Sequence, residues 1–394
     1  MIRRPNGGGG SPGIGVPIAR VGGIEIRIQL AWVLVLAFIG ALAVNEIETI
    51  SPEIDETTAW SLGALVAGGF FLSSIAHDLV HAFVARSRGV PVSAIAVSFF
   101  GGATPLDPMA GNASDDLAIA ASGPLASLAI AGVCGVLAFG TEIAGGPLEV
   151  ASMSFATLLV LNLLLGGINL VPAYPLDGGR IVRALAWRRT GSEASGWRIA
   201  ALSGRIAGFA AIALGGFLFL FLNTVDGAMV AVSGWFLILS SRAINDRMRV
   251  EELIGGLHVR DAMETSTVTV HPGLTLDTFA SQLLDPGSGE APTTAVPVTD
   301  GDQVVGLVGT RQVQRLRRDR WPSTRVSDVM VRPPRLSFIG PGDALAEAVS
   351  KLQRSNADGL PVLDAGVLVG VLSRYGVGKL VSQRMQQVDA GPGA

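Results

Sequence analysis

Six stretches of the chain are apolar over close to the width of a bilayer's hydrocarbon core, which takes about 20 residues of helix to cross. They fall at roughly 28–44, 59–85, 117–139, 155–171, 199–222 and 229–244. A chain of this kind buries so much apolar surface most readily in lipid. Its composition agrees, since 49% of the 394 residues are hydrophobic and only 15% are charged, too apolar for an ordinary soluble enzyme. The intervening segments alternate in charge: "NEIETISPEIDETT", "GTEIAGGPLEVASMS" and "NTVDGA" hold no Lys or Arg, whereas "ARSRG", "RIVRALAWRRT" and "RAINDRMRV" are rich in arginine. The positive-inside rule sets the basic segments in the cytoplasm, which predicts a multi-pass protein of the cell membrane with both termini cytoplasmic. Residues 1–22 begin "MIRRPNGGGGSPGIG", with no short apolar core and cleavage site directly behind, and read as a flexible cytoplasmic tail. A net charge of −3 supplies no basic field, so nucleic acid is not expected as a partner. The single Cys134 excludes an internal disulfide framework.

Between the second and third stretches, "GVPVSAIAVSFFGGATPL" is apolar but interrupted by Pro91, Gly101, Gly102 and Pro105, and 92–100 has strand composition. It is too short to span and reads as a hairpin dipping into the membrane, with its backbone buried against protein or lining a wet cavity.

Beyond about Arg247 the pattern turns soluble and repeats itself. "VRDAMETSTVTVHPG" at Val259 is echoed by "VSDVMVRPPRLSFIGPG" at Val326, and "AVPVTDGDQVVGLVGTRQVQRL" at Ala295 by "GLPVLDAGVLVGVLSRYGVGKL" at Gly359. Each copy reads as a short Asp-Met lead, a strand, a helix, two strands around a tight turn and a helix. Two such copies, over 255–318 and 322–385, resemble a pair of cystathionine-beta-synthase (CBS) domains. The resemblance implies side-by-side association, a route to a homodimer, and a capacity in the family for adenine nucleotides. Nucleotide-binding members commonly close the strand-to-helix turn with Thr or Ser and, three residues on, an Asp for the ribose. This chain has Gly309 with Gln312 and Ser373 with Gly376, which argues against an adenine nucleotide and leaves a dimerising or substrate-gating module as the alternative. The basic run "RQVQRLRRDRW" at Arg311 suits either anionic lipid or a solvated surface.

Inside the second apolar stretch lies "SSIAHDLVHAFVAR", 73–86. At i and i+4 on a helix, His77 and His81 present two imidazoles to one point. Zinc in a catalytic site usually takes three protein ligands, so this reading requires a third from elsewhere; the alternative is a pair of histidines hydrogen-bonded across the bundle. Depth favours function, because a buried Asp alone costs about 2.5–3.5 kcal/mol on insertion scales. The helical rise puts His77 roughly 16 Å before Arg88, in the cytoplasmic half of the membrane. "NLVPAYPLDGGRIVRA" offers a partner: Pro172, Pro175, Gly178 and Gly179 break the helix where Asp177 occurs. Its carboxylate could turn back to the histidines or cap a helix over 178–185.

Taken together, "HDLVH", "FFGGATPL", "SGPLASL" and "NLVPAYPLDGG" are similar in order and spacing to the site-2 protease family of intramembrane zinc metalloproteases. The bacterial members with a CBS pair after the last span are the nearest in architecture. The resemblance implies an α-helical polytopic membrane domain over 23–248, of about six spans with a small membrane-associated β hairpin, followed by an α/β tandem CBS domain. It implies one Zn2+ per chain held by His77, His81 and Asp177, and cleavage of membrane-spanning protein substrates within the bilayer in regulated intramembrane proteolysis. Asn169 matches the residue opening the family's Asn-Pro-Asp-Gly motif, and Gly101 with Gly102 its membrane hairpin, the three being substrate-binding candidates. Gly123 and Pro124 match a glycine-proline pair, for close helix packing or a direct role.

One position departs from the family. Its zinc helix reads His-Glu-x-x-His with the glutamate as general base, and here Asp78 stands in that place. Asp is one methylene shorter, which draws the oxygens back by roughly 1.3–1.5 Å, while a base must come within about 2.6–3.2 Å of the proton it takes, directly or through one water. Either the helix sits closer to the metal, a second water bridges at a slower rate, or the site binds zinc without cutting. Retention of an acid argues for activity through Asp78. The competing reading is a zinc-binding member of the fold that acts as a membrane binding or regulatory protein; a CBS-regulated channel would leave the three ligands unexplained.

Overall fold

A computed structural model describes residues 15–97, 111–222, 224–265, 268–283, 295–355 and 357–389. The chain divides into two units, Met1–Asp246 and Arg247–Ala394.

The first unit opens with a small sheet. Strands β1 (Val16–Val21) and β2 (Ile24–Ile28) form an antiparallel hairpin, and β3 (Ala94–Val97) runs parallel to β2 on its other side. The cause is local for the first pair. Gly22 and Gly23 have φ of +55° and +79°, the two positive values a tight hairpin turn requires. Alternation buries Ile24 and Ile26 and leaves Glu25 and Arg27 paired at 2.7 Å on the other face. Two expectations change. Residues 16–21, read as the end of a tail, are a strand, because six residues beside a glycine-rich leader carry too few alternations to stand out. The 92–100 segment contributes a strand whose partner is β2, with Glu25 facing Ala94, a pairing far outside any local window. Gly101 and Gly102, with the rest of 98–110, lie outside the described residues.

The helices are α1 (Ala31–Ile50), α2 (Glu56–Ser87), α3 (Ala113–Ala144), α4 (Pro147–Asn169), α5 (Asp177–Thr190), α6 (Glu193–Phe221) and α7 (Val225–Ile254). All but α5 are long and apolar enough to cross a membrane. Large side chains along them, including Leu34, Phe139, Leu220 and Phe221, are more than half exposed, an arrangement that water penalises and hydrocarbon does not. Polar residues set the starts of two spans. Asp55 accepts from the Thr58 amide at 3.0 Å and its hydroxyl at 2.6 Å, and that hydroxyl bond is the main cause holding the Asp55 carboxyl below its ordinary pKa. Asn112 caps α3 by accepting from the Asp115 amide at 2.9 Å. Trp32 fastens the sheet to the bundle: its indole N–H donates to the Val97 carbonyl at 3.1 Å, its ring meets Phe70 and Phe71, and it shares a core cluster with Ile26, Ile75, Cys134 and Leu158.

The second unit holds two copies of one motif. In the first copy α8 (Leu276–Leu283) precedes the antiparallel pair β4 (Ala295–Asp300) and β5 (Gln303–Gly309), followed by α9 (Thr310–Gln314). The second has α10 (Val326–Val329), α11 (Leu345–Arg354), the pair β6 (Gly359–Asp364) and β7 (Val367–Ser373), and α12 (Arg374–Asp389). The copies exchange their leading segments. Glu264 of the first bridges Val371 in β7, and Val331 of the second bridges Leu307 in β5. Packing follows the exchange, with Val259 and Ala262 in a core with Leu345, Leu352, Leu360 and Leu372, and Val326 in one with Leu276, Phe279, Val296 and Val308.

Candidate metal centre

His77 and His81 lie one turn apart on α2, with Nε2 atoms 3.3 Å from each other and rings nearly perpendicular. Asp177, the first residue of α5, brings Oδ2 to 3.1 Å from His77 Nε2 and 3.2 Å from His81 Nε2. Tetrahedral zinc with nitrogen and oxygen bonds of about 2.0–2.1 Å separates adjacent donors by roughly 3.3 Å, so the triangle has the edge lengths of one face of such a site. His77 and Asp177 are buried and His81 partly so. Among the described residues these three form the group of His, Cys, Asp and Glu side chains able to hold a metal ion.

The chain turns tightly to deliver Asp177. The residue lies within the first helical turn, after an N-cap at Leu176 that makes no side-chain cap bond; the capping alternative does not hold, and the carboxylate goes to the imidazoles. Gly178 and Gly179 permit this approach. A Cβ on Gly178 would stand 2.2 Å from the Val171 carbonyl oxygen, and one on Gly179 would stand 2.4 Å from the Tyr174 nitrogen. The start of α5 is thus nested under the backbone of the preceding turn.

Helix α3 orients the rings from behind. His81 Nδ1 lies 2.6 Å from the Ile119 carbonyl oxygen, to which it donates, leaving the Nε2 lone pair free to face the carboxylate. His77 Nδ1 is 2.9 Å from Ser127 Oγ. Ser122 Oγ donates to Ile119 O at 2.7 Å and lies 3.3 Å from His81 Nδ1. Such outer partners fix ring orientation and the nitrogen that coordinates. Gly123 lies between them: a Cβ there would meet His81 Nε2 at 2.2 Å and His77 Nε2 at 2.7 Å. The glycine of the glycine-proline pair is therefore an opening for the donor triangle, a role in which close packing and direct involvement coincide.

The remaining expected residues are placed less centrally. Asp78 is half-buried, one position after His77 on α2. Asn169 ends α4, with Nδ2 donating to the Leu165 carbonyl of its own helix at 2.9 Å. Gly101 and Gly102 fall outside the described residues. Sequence reasoning did not single out Ser122, Ser127 or the Ile119 carbonyl. Serine in an apolar helix was the available signal, but its partner fifty positions earlier was not visible. Position 376 lacks the acid of nucleotide-binding members, and the Glu264 carboxylate, from the exchanged segment, lies 2.6 Å from Ser373 Oγ and 3.2 Å from where a Gly376 Cβ would be.

A bundle of membrane-length apolar helices around a buried set of two imidazoles and a carboxylate defines a class, the membrane-embedded zinc metalloprotein. Comparison with known proteins carries this further. The model described as Peptidase family M50 matches residues 65–214, and that of the CBS domain matches 259–318 and 326–377. A Mycobacterium tuberculosis protein named as the zinc metalloprotease Rip3 is 32% identical over 93% of this chain and 92% of its own length. A Synechocystis protein named as the zinc metalloprotease sll0528 is 28% identical over 90% of this chain and 92% of its own. Among solved structures, the site-2 protease from Methanocaldococcus jannaschii is 26% identical, covering 58% of this chain and 94% of that one, with a TM-score of 0.37. The chain belongs to peptidase family M50, the site-2 proteases, and is a multi-pass membrane zinc metalloprotease with a C-terminal CBS pair.

Proposed function

We propose that the protein is an intramembrane endopeptidase acting in regulated proteolysis of membrane-spanning protein substrates, with one zinc held by His77, His81 and Asp177. The observation that carries the reading is the donor triangle of 3.1, 3.2 and 3.3 Å edges, whose dimensions suit that ion and whose outer ring nitrogens are engaged by α3. When bound, zinc supplies a Lewis acid that activates water and polarises the scissile carbonyl. Asp78 takes the proton from the attacking water as the carbon–oxygen bond forms, then passes it to the leaving amine as the carbon–nitrogen bond breaks. Ile119 and Ser127 hold the rings, so neither imidazole has to reorganise during the reaction.

A peptide bond inside a transmembrane helix is shielded, so the substrate unwinds before it is cut. Among the described residues β3 is one of the two outer strands of its sheet, which supports docking of an extended substrate beside Ala94–Val97 by main-chain hydrogen bonds. Gly101, Gly102 and Asn169 are the further residues proposed to contact the substrate. The membrane domain includes the β1 strand at Val16–Val21, paired with β2, and runs to about 248, and the CBS domains cover 255–318 and 322–385. The arginine-rich connections support cytoplasmic termini, and on this reading the CBS pair modulates cleavage there and joins two copies of the chain.

The shorter carboxylate of Asp78 favours one other reading, a zinc-binding member of the family that does not cut. Cleavage of a model transmembrane substrate by the native protein, Asp78→Glu and Asp78→Ala separates the two. The enzyme reading expects native cleavage that Asp78→Ala abolishes. Native protein as inert as Asp78→Ala, with one zinc bound in each, overturns it.

A further inference from the structure

Asp116, in the first turn of α3, and Arg183, two turns into α5, are 0% and 3% exposed. They meet as a two-pronged pair: Arg183 Nε donates to Asp116 Oδ2 at 2.9 Å and Nη2 donates to Oδ1. Arg180 Nη2 stands 3.5 Å from the same Oδ1, and Arg183 Nη1 stands 3.8 Å from Glu193 Oε1 at the start of α6. The guanidinium lies over the Trp197 ring, 4.2 Å from its centroid. Trp197 meets Tyr174 edge-on with centroids 5.7 Å apart, and Tyr174 belongs to the turn under which Gly179 is nested.

A buried ion pair is a weak source of stability, because desolvation of two charges offsets their attraction. What this one supplies is placement. At about 100° per residue, positions 116, 123 and 127 of α3 fall within roughly 20° of one line along the helix. The ridge that presents Gly123 and Ser127 to the imidazoles therefore also presents Asp116 to α5. Helix α5 is held at two points, its first residue at the α2 histidines that α3 orients and its second turn on Asp116 of α3 itself.

We propose that the Asp116–Arg183 pair is a positioning device for the third zinc donor, fixing the axial place and rotation of α5 so that the Asp177 carboxylate closes the triangle. The proposal rests on His77, His81 and Asp177 being the zinc ligands. A slip of α5 by one residue is a translation of about 1.5 Å, several times the tolerance of about 0.2 Å for a metal–ligand distance.

The test is zinc affinity of the purified full-length chain, read by chelator competition, with the visible absorption of the Co2+-substituted protein as a signature of ligand geometry. Asp116→Asn/Arg183→Met removes both charges together and strands neither. Arg183→Lys keeps the charge and loses the fork. Asn162→Leu, a buried polar group on α4 whose amide donates within its own helix, controls for general loosening. The expected result is a roughly 10–100-fold loss of zinc affinity in the double variant, an altered cobalt spectrum, and metal-free thermal unfolding like that of Asn162→Leu, which itself retains parental affinity. Arg183→Lys falls between. Parental affinity and an unchanged cobalt spectrum in the double variant overturn the proposal; should that variant not fold, Arg183→Lys decides in the same terms. His77→Ala separates the two levels: if it loses zinc while the charge variants do not, positioning alone fails, and if it keeps zinc as tightly as the parent, the ligand assignment fails and takes the proposal with it.

Discussion

Replacing Gly123 with alanine adds a single methyl group to the side of the donor triangle. The new Cβ would lie 2.2 Å from His81 Nε2, 2.6 Å from its Cε1 and 2.7 Å from His77 Nε2, where non-bonded atoms rest at about 3.5 Å. The His81 ring would have to withdraw by more than about 1 Å, and its bond to Ile119 O at 2.6 Å opposes a simple slide. Without metal the rings can rotate aside, and alanine gains up to about 1 kcal/mol of helix propensity over glycine, so the metal-free protein is expected to fold. With metal, a shift of that size far exceeds the tolerance of about 0.2 Å in ligand distance. The expected loss of zinc affinity is on the order of 100-fold or more, about 2.8 kcal/mol at 1.4 kcal/mol per tenfold. Thermal unfolding with and without a chelator reads it out. Zinc at about 100 times the parent's dissociation constant adds roughly 2.7 kcal/mol to the parent but about 0.4 kcal/mol or less to a 100-fold weaker variant, so chelation lowers the parent's melting temperature and shifts that of Gly123→Ala only slightly. A Gly123→Ala protein that binds one zinc per chain with a parental response to chelator would falsify this account of the site.

Other perturbations test neighbouring parts of the same reasoning. Ser127→Ala removes the partner 2.9 Å from His77 Nδ1 and is expected to weaken zinc binding by roughly 10–100-fold with little change in fold, measured by chelator competition. Gly178→Ala sets a methyl group 2.2 Å from the Val171 carbonyl oxygen. Backbone cannot yield as a side chain does, so this variant is expected to displace α5 and lose zinc and proteolysis together, checked by metal content and substrate cleavage. Val259→Ala lies in the first CBS copy but in a core with Leu345, Leu360 and Leu372. Its cost of about 1–3 kcal/mol should therefore be read as lost hydrogen-exchange protection in β6 and β7, with β4 and β5 less affected.

Much of the membrane unit was legible because bilayer thickness imposes a length that composition reveals directly. The paired histidines were legible because helical spacing is a short-range property, and Asp177 because the prolines and glycines around it mark a break in an apolar run. The parts that stayed hidden depend on contacts between distant segments. Ile24 and Ile26 alternate inward, but the strand they face begins at Ala94. Ser127 and Gly123 acquire meaning only when α3 is laid against α2. Arg183 reads as one of several arginines in a cytoplasmic connection, and nothing near it in the sequence shows that it is buried on Asp116. In the second unit the repeat itself was plain, while the exchange of leading segments was not, since each copy's pattern is complete on paper and its packing partner lies in the other.

His77 and Asp177 stand 100 positions apart in the chain. A growing polypeptide inserts its histidines well before the fourth span and the helix behind it have emerged, so for that interval the donor set lacks its acid. Under the proposed ligand set the ability to cut is thus withheld until α5 is made, with α6 and α7 still to follow.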